Sequence, residues 1–190
     1  MLRKMGLHDI NQVAMIHKAE LSGFLSELGE MFLKKFYKTS LSVPEMFTIA
    51  EAENGQILGF ATATVRMKGL YKKIILKDIP GFGISLLKYF STHPSGIFQT
   101  VKIFTYPGFT DDIPELLTIA VAKKWQKRGL GRKLFQEIVR EFKKRKITNF
   151  RVSAYERLPA NEFYRKIGCN LERSFDFMSE KMNYYKYGNG

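Results

Sequence analysis

The chain has 190 residues, 45% of them hydrophobic and 14% aromatic, enough apolar side chain to fill the core of one domain. Its single cysteine, Cys169, excludes an internal disulfide, and no apolar run approaches the ~18 residues of a transmembrane helix. The formal net charge of +13 turns attention to anionic ligands. A cytoplasmic protein without membrane attachment is expected, since Arg3, Lys4, His8 and Asp9 interrupt any signal-peptide segment.

In chain order, Asp9 to Thr39 reads as helical, in two pieces broken near Ser22-Gly23 and Gly29. Phe47 to Ala52, the turn Glu53-Asn54-Gly55 and Gln56 to Val65 form a hairpin pattern. Residues 68–115 are less regular, with an apolar run from Ile74 to Phe90, a helix expected around Ile84 to Phe90, and breaks at Gly81, Gly83, Pro94, Pro107 and Gly108. Such a stretch suggests an insertion or lid around 68–113 within a single domain spanning 1–190.

Leu116 to Ala122 has the composition of a buried strand, and Leu130, Leu134, Ile138 and Phe142 mark one face of a helix of about four turns. Thr148 to Ala154 reads as another strand. Ala160 to Ile167 reads as a short helix ended by a left-handed cap at Gly168, with a last strand or two in Leu171 to Tyr187. This order predicts an α/β (α+β) fold with a mixed sheet, in which the unit around 116–154 is a right-handed parallel crossover.

The segment Val121-Ala-Lys-Lys-Trp-Gln-Lys-Arg-Gly-Leu-Gly-Arg-Lys-Leu134 carries the chemistry. A strand runs into a basic loop with two glycines, and a helix starts at once. Residues without side chains let backbone approach a ligand, and the open N–H groups of a helix start favour phosphate. A P-loop is excluded, because no Gly-x-x-x-x-Gly-Lys is present. A dinucleotide fingerprint is excluded too, because Leu134 stands at its third glycine. Basic residues crowd between Lys123 and Arg151, opposed only by Glu137 and Glu141. Part of that excess suits a solvated helix face, Lys143 to Lys146 lying at the helix C-terminus.

The spacing Gln126-x-x-Gly129-x-Gly131 after a strand, with Ala160-x-x-Phe163-Tyr164-x-x-x-Gly168 downstream, resembles the GNAT superfamily of N-acetyltransferases, over most of the chain. The resemblance implies a mixed, mostly antiparallel central sheet with helices on both faces, and acetyl-CoA as acyl donor. It implies that Gln126, Lys127, Arg128, Gly129, Leu130, Gly131 and Arg132 hold the pyrophosphate. Ile119, Ala120 and Val121 would pair with the pantetheine arm as an added strand does.

Acyl transfer to an amine needs a neutral nucleophile, a polarised carbonyl and a protonated leaving thiolate. Family resemblance points to Glu115 as general base, with Asp111 or Asp112 as substitutes, and to Tyr164 as the acid. A phenol of pKa about 10 suits a thiolate of similar basicity. The Val121 N–H would polarise the carbonyl. The chain departs from the family where Arg157 replaces an asparagine, a place Asn161 is expected to fill at the cofactor. Cys169 replaces a phenylalanine and reads as a small buried hydrophobe rather than a reactive thiol. His8, His17 and His93 lack metal-ligand spacing, so no metal site is expected.

The implied acceptor is a primary amine of a small molecule, an amino sugar or amino-acid derivative among the candidates. It would lie between the N-terminal helices and the 68–115 segment, where Phe24, Leu25, Tyr71, Phe82, Phe90, Phe98 and Phe104 concentrate and no acidic stripe appears. Most of these aromatics are expected in the core. Two rival readings are a basic nucleic-acid-binding module and a non-catalytic acyl-CoA-binding protein. Nucleic acid is disfavoured because Trp125 is the one ring among the basic residues before Phe135. Homodimerisation stays open.

Overall fold

The Asn54-Gly55 turn sets the central hairpin. Both residues take positive φ, 47° and 77°, the combination a two-residue turn needs to match the twist of the strands it joins. It connects β2 (Met46–Glu53) to β3 (Gln56–Thr64), paired from Glu53↔Gln56 to Met46↔Thr64. Both strands are buried on both faces over most of their length, so they read as near-continuous apolar runs.

The computed structural model describes residues 1–94, 96–97, 112–177 and 180–188. It adds β1 (Leu2–Lys4), β4 (Glu115–Val121), β5 (Phe150–Tyr155), β6 (Asn170–Phe177) and β7 (Glu180–Tyr187) in one sheet of order β1-β2-β3-β4-β5-β7-β6. Among the described residues only β4 and β5 pair in parallel; the other ladders are antiparallel. The mixed, mostly antiparallel sheet is therefore as expected. β1 was not expected, being too short for an alternation to show.

Period-two alternation in β2 and β3 divides the core. Ala50 and Phe60 face α1 (Ile10–Glu20), α3 (Gly29–Ser40), α4 (Leu70–Leu76) and α5 (Ile79–Thr92). Phe47, Ile49, Ala61 and Ala63 face α6 (Leu130–Lys144) and α7 (Ala160–Lys166). Helices thus cover both faces. A four-residue helix, α2 (Phe24–Glu27), fills the break between α1 and α3. On α6 the expected stripe is buried at Leu134, Ile138 and Phe142, while Leu130 is half-buried.

Within the described part of the irregular 68–115 segment, α4 and α5 both form where a single helix around Ile84 to Phe90 was expected. The Asp78 side chain accepts the Gly81 N–H at 3.0 Å, with Pro80 in the first turn, an N-terminal signal present in Asp78-Ile-Pro. Phe98, Phe104, Pro107, Gly108 and Asp111 lie outside the described residues. No helix among the described residues is long and apolar enough to cross a membrane.

Candidate active site

The site begins where β4 and β5 part. Their parallel ladder holds for only two pairs, Glu115↔Arg151 and Leu116↔Val152. Against β3, β4 shifts register between Thr62↔Thr118 and Ala63↔Leu116, leaving Leu117 as an extra residue. A bulge of this kind bends a strand and ends pairing on its far edge. Beyond it the Ala122 N–H bonds the Leu58 carbonyl at 2.9 Å. Alternation then turns the N–H groups of Ile119 and Val121 away from β3, toward the gap between the strands. Gly59 permits this tight end of the ladder, since a Cβ there would sit 2.7 Å from the Ala120 carbonyl oxygen.

Past β4 the chain makes one 3-10 turn, Lys123–Trp125, and enters the glycine loop. Lys127 takes φ 60° and Gly129 φ 79°, so the loop alternates hand before the helix starts. The first bond back into α6 is from Lys133 N–H to the Gly129 carbonyl at 3.1 Å. Leu130, Gly131 and Arg132 therefore present helix-start N–H groups with no intrahelical acceptor, the arrangement that binds phosphate.

Glu20, the last residue of α1, holds this loop from the other side. Its carboxylate accepts the Lys123 backbone N–H at 2.8 Å and Gln126 Nε2 at 2.9 Å, and Gln126 Nε2 also donates to the Val121 carbonyl at 2.9 Å. Sequence reading missed Glu20, which lies over a hundred residues from its partners. Trp125 was noted only as the one ring among the basic residues and not as part of the site. Its ring lies under the Arg128 guanidinium at 4.9 Å, and its indole Nε1–H is buried with no acceptor among the described residues. An orphaned donor beside an anion-binding loop suits a ligand acceptor.

At the other end of β4, Glu115 is 5% exposed. Its Oε2 accepts Arg151 Nε at 3.0 Å and Nη2 at 2.8 Å, and its Oε1 accepts the Ser153 hydroxyl at 3.0 Å. The Arg151 guanidinium lies over the Tyr184 ring at 4.2 Å. Arg151 and Ser153 alternate along β5, which places both on the face nearest Glu115.

Tyr164 is buried on α7, packed beside Phe163 and Tyr185, and its hydroxyl has no hydrogen-bond partner among the described residues. Burial, then the neighbouring Cys169 and Glu115, raises its pKa well above the usual phenol value, so the phenol is neutral at pH 7 and a weaker acid than a free tyrosine. Burial pushes the Cys169 thiol up to about 12, which leaves it protonated and inert.

One cavity of about 780 Å³ joins these parts. Its wall includes Glu115, Ile119, Ala120, Val121, Gln126, Lys127, Leu130, Gly131, Arg132 and Tyr164. Arg128 is absent from that wall. So is Asn161, expected at the cofactor, because its polar atoms are already used. Its Nδ2 donates to the carbonyls of Tyr155, Glu156 and Leu158, and its Oδ1 accepts from Asn183 and Tyr185. Asn161 thus holds the turn before α7 against β7. Asp112 pairs with Arg66 instead of entering the cavity wall. Much of the basic excess is likewise engaged: Lys133 with Glu51, Arg140 with Glu137, Lys144 and Arg145 with Glu141.

Residues 95–168 match the family described as acetyltransferase (GNAT) domain. The whole chain is similar in fold to a protein assigned to the GNAT acetyltransferases from Desulfovibrio desulfuricans, at TM-score 0.67 and 16% identity, covering 99% of this chain and 98% of that one. It is similar to the PaiA N-acetyltransferase of Thermoplasma acidophilum, solved with coenzyme A, at TM-score 0.61 and 14% identity, covering 98% of each chain. A ribosomal-protein-alanine N-acetyltransferase from Brucella melitensis gives TM-score 0.65 at 13% identity, covering 100% of this chain and 99% of that one. No curated protein matches the chain in sequence.

Proposed function

We propose that the chain is an acetyltransferase of the GNAT superfamily, whose domain residues 95–168 match and whose fold the chain resembles along its length, and that its cleft joins acetyl-CoA to the primary amine of a small molecule. The observation that carries this reading is the single cavity running from the open N–H groups of the glycine loop to Glu115 and Tyr164. We take the chain as one catalytic domain, with α4 and α5 contributing the acceptor side.

The site fits the donor. Helix-start N–H groups at 130–132, with Lys127 and Arg132 beside them, suit a pyrophosphate. The N–H groups of Ile119 and Val121 suit the amide-bearing arm, added along the open edge of β4. Transfer forms a C–N bond as the amine attacks the thioester carbon, and breaks the C–S bond as the thiolate leaves. Val121 N–H is placed to stabilise the oxyanion. Tyr164, protonated at neutral pH, gives its proton to the thiolate as the C–S bond breaks. Glu115, steadied by Arg151 and Ser153, takes the proton lost by the amine, through water where the amine is out of direct reach.

Two measurements test this. Acetyl-CoA at about 100 times its Kd should stabilise the protein by about 2.7 kcal/mol in thermal melts. A thiol-release assay over primary amines should then find turnover, and an alanine-led peptide in the same assay tests the acceptor named for the Brucella relative. An unchanged melting temperature with every CoA thioester would remove the reading.

A further inference from the structure

The part of the cavity built by α1–α5 differs in chemistry from the part built by the glycine loop. Phe24, Leu25, Tyr71, Ile75 and Leu86 pack on the core yet remain only partly buried, because they line this space. Among the described residues, this wall between positions 17 and 86 holds no Asp, Glu, Lys or Arg. Its one titratable imidazole, His17, bonds the Tyr37 hydroxyl at 2.6 Å, and burial lowers its pKa to about 4, so it is neutral at pH 7. The charged side chains of the cavity belong elsewhere: Lys127 and Arg132 to the loop, and Glu115 and Arg151 to each other.

A second ammonium would find no carboxylate on this wall, and a carboxylate or phosphate no cation. Either would lose its water without compensation. Apolar surface, by contrast, gains from every methylene buried. The cavity of about 780 Å³ runs from this wall to the glycine loop, so the acceptor shares it with the acyl-bearing arm.

We propose that the acceptor is a primary amine carried on a bulky, uncharged apolar body, an alkyl or arylalkyl amine, whose body seats against α1–α5 while its nitrogen reaches Glu115 on β4. The inference rests on the acetyl-transfer reading and narrows its acceptor. The nitrogen forms the amide bond, its surplus proton leaves to Glu115 or water, and coenzyme A departs as the thiol.

The test is kcat/KM with acetyl-CoA for propylamine through hexylamine and 2-phenylethylamine, set against spermidine, glucosamine and an alanine-led peptide. Each added methylene should raise kcat/KM about fourfold, the worth of a buried CH₂. The three polar acceptors should fall at least tenfold below hexylamine. Ile75→Glu should cut hexylamine turnover at least tenfold, with the acetyl-CoA thermal shift unchanged; Leu86→Gln serves where the first variant does not melt cooperatively. Failure of acetyl-CoA to shift the melt overturns the acetyl-transfer reading itself. A normal shift overturns the apolar acceptor alone if it comes with a flat alkylamine series, no amine turnover, a preference for any polar acceptor, or better use of long acyl-CoA donors with a small amine.

Discussion

Glu20 grips the glycine loop from α1, accepting hydrogen bonds from Lys123 N–H at 2.8 Å and Gln126 Nε2 at 2.9 Å. The next residues, Leu21 to Leu25, line the cavity. The C-terminal end of α1 is therefore tied to the glycine loop on one side and to the proposed acceptor space on the other. Hydrogen bonds to a charged group contribute about 1.5–3 kcal/mol, less where water reaches them. Glu20→Ala should raise KM for acetyl-CoA about tenfold while leaving kcat nearly unchanged. Glu20→Gln, which keeps one acceptor oxygen, should recover part of the loss.

Tyr164 offers a sharper separation of binding from chemistry. Its hydroxyl bonds to no described residue, so Tyr164→Phe breaks no hydrogen bond among them and should leave stability and acetyl-CoA affinity intact. General acid catalysis is worth roughly 100- to 10,000-fold, and kcat should fall within that span. Unchanged kcat in a protein that still binds acetyl-CoA would favour a role in packing.

The Glu115–Arg151 pair sits with side chains 7% and 4% exposed, where an unpaired charge is costly. Arg151→Met should destabilise the fold by about 3–5 kcal/mol in urea titrations, because Glu115 is left buried without its partner. The double variant Glu115→Leu with Arg151→Met should regain most of that stability, since a packed apolar pair replaces the ions. It should remain inactive, which would separate the structural from the chemical use of Glu115.

His17 makes stability depend on pH. Its folded pKa of about 4 lies below the usual histidine value, so the unfolded chain binds the proton more readily. Its contribution is complete above about pH 6.5 and is lost as pH falls toward 4. The full span corresponds to roughly 3 kcal/mol. Urea midpoints measured at pH 7 and pH 5 should drop accordingly, and His17→Gln should flatten that part of the profile.

Cys169 is 3% exposed, with its thiol pushed up to about 12. An aromatic disulfide reagent at pH 8 should leave it unmodified in the native protein and react within the dead time in guanidinium. Its silence in the folded state also means that thiol released in the transfer assay comes from coenzyme A.

Local patterns were enough to locate the glycine loop, the amphipathic helix after it and the Phe163-Tyr164 pair, because each depends on residues within a few turns of one another. Gly129 needs positive φ, the α6 stripe follows the helical repeat, and Gly168 ends its helix with φ 91°. Asp78-Ile-Pro held a helix start that a mixed apolar run concealed. Neither the residues nor their spacing could show what holds Glu115, since Arg151 meets it only where the short β4–β5 ladder brings them level. Nor could they show that Asn161 spends its polar atoms on a turn, or that Glu20 reaches Gln126. The glycine loop and the helix start after it were determined by the sequence alone, as backbone conformation and helix ends are local. The tether of that loop, the paired carboxylate and the uncharged wall of the cavity were decided by tertiary packing, because their free energy comes from burial and from contacts between distant segments.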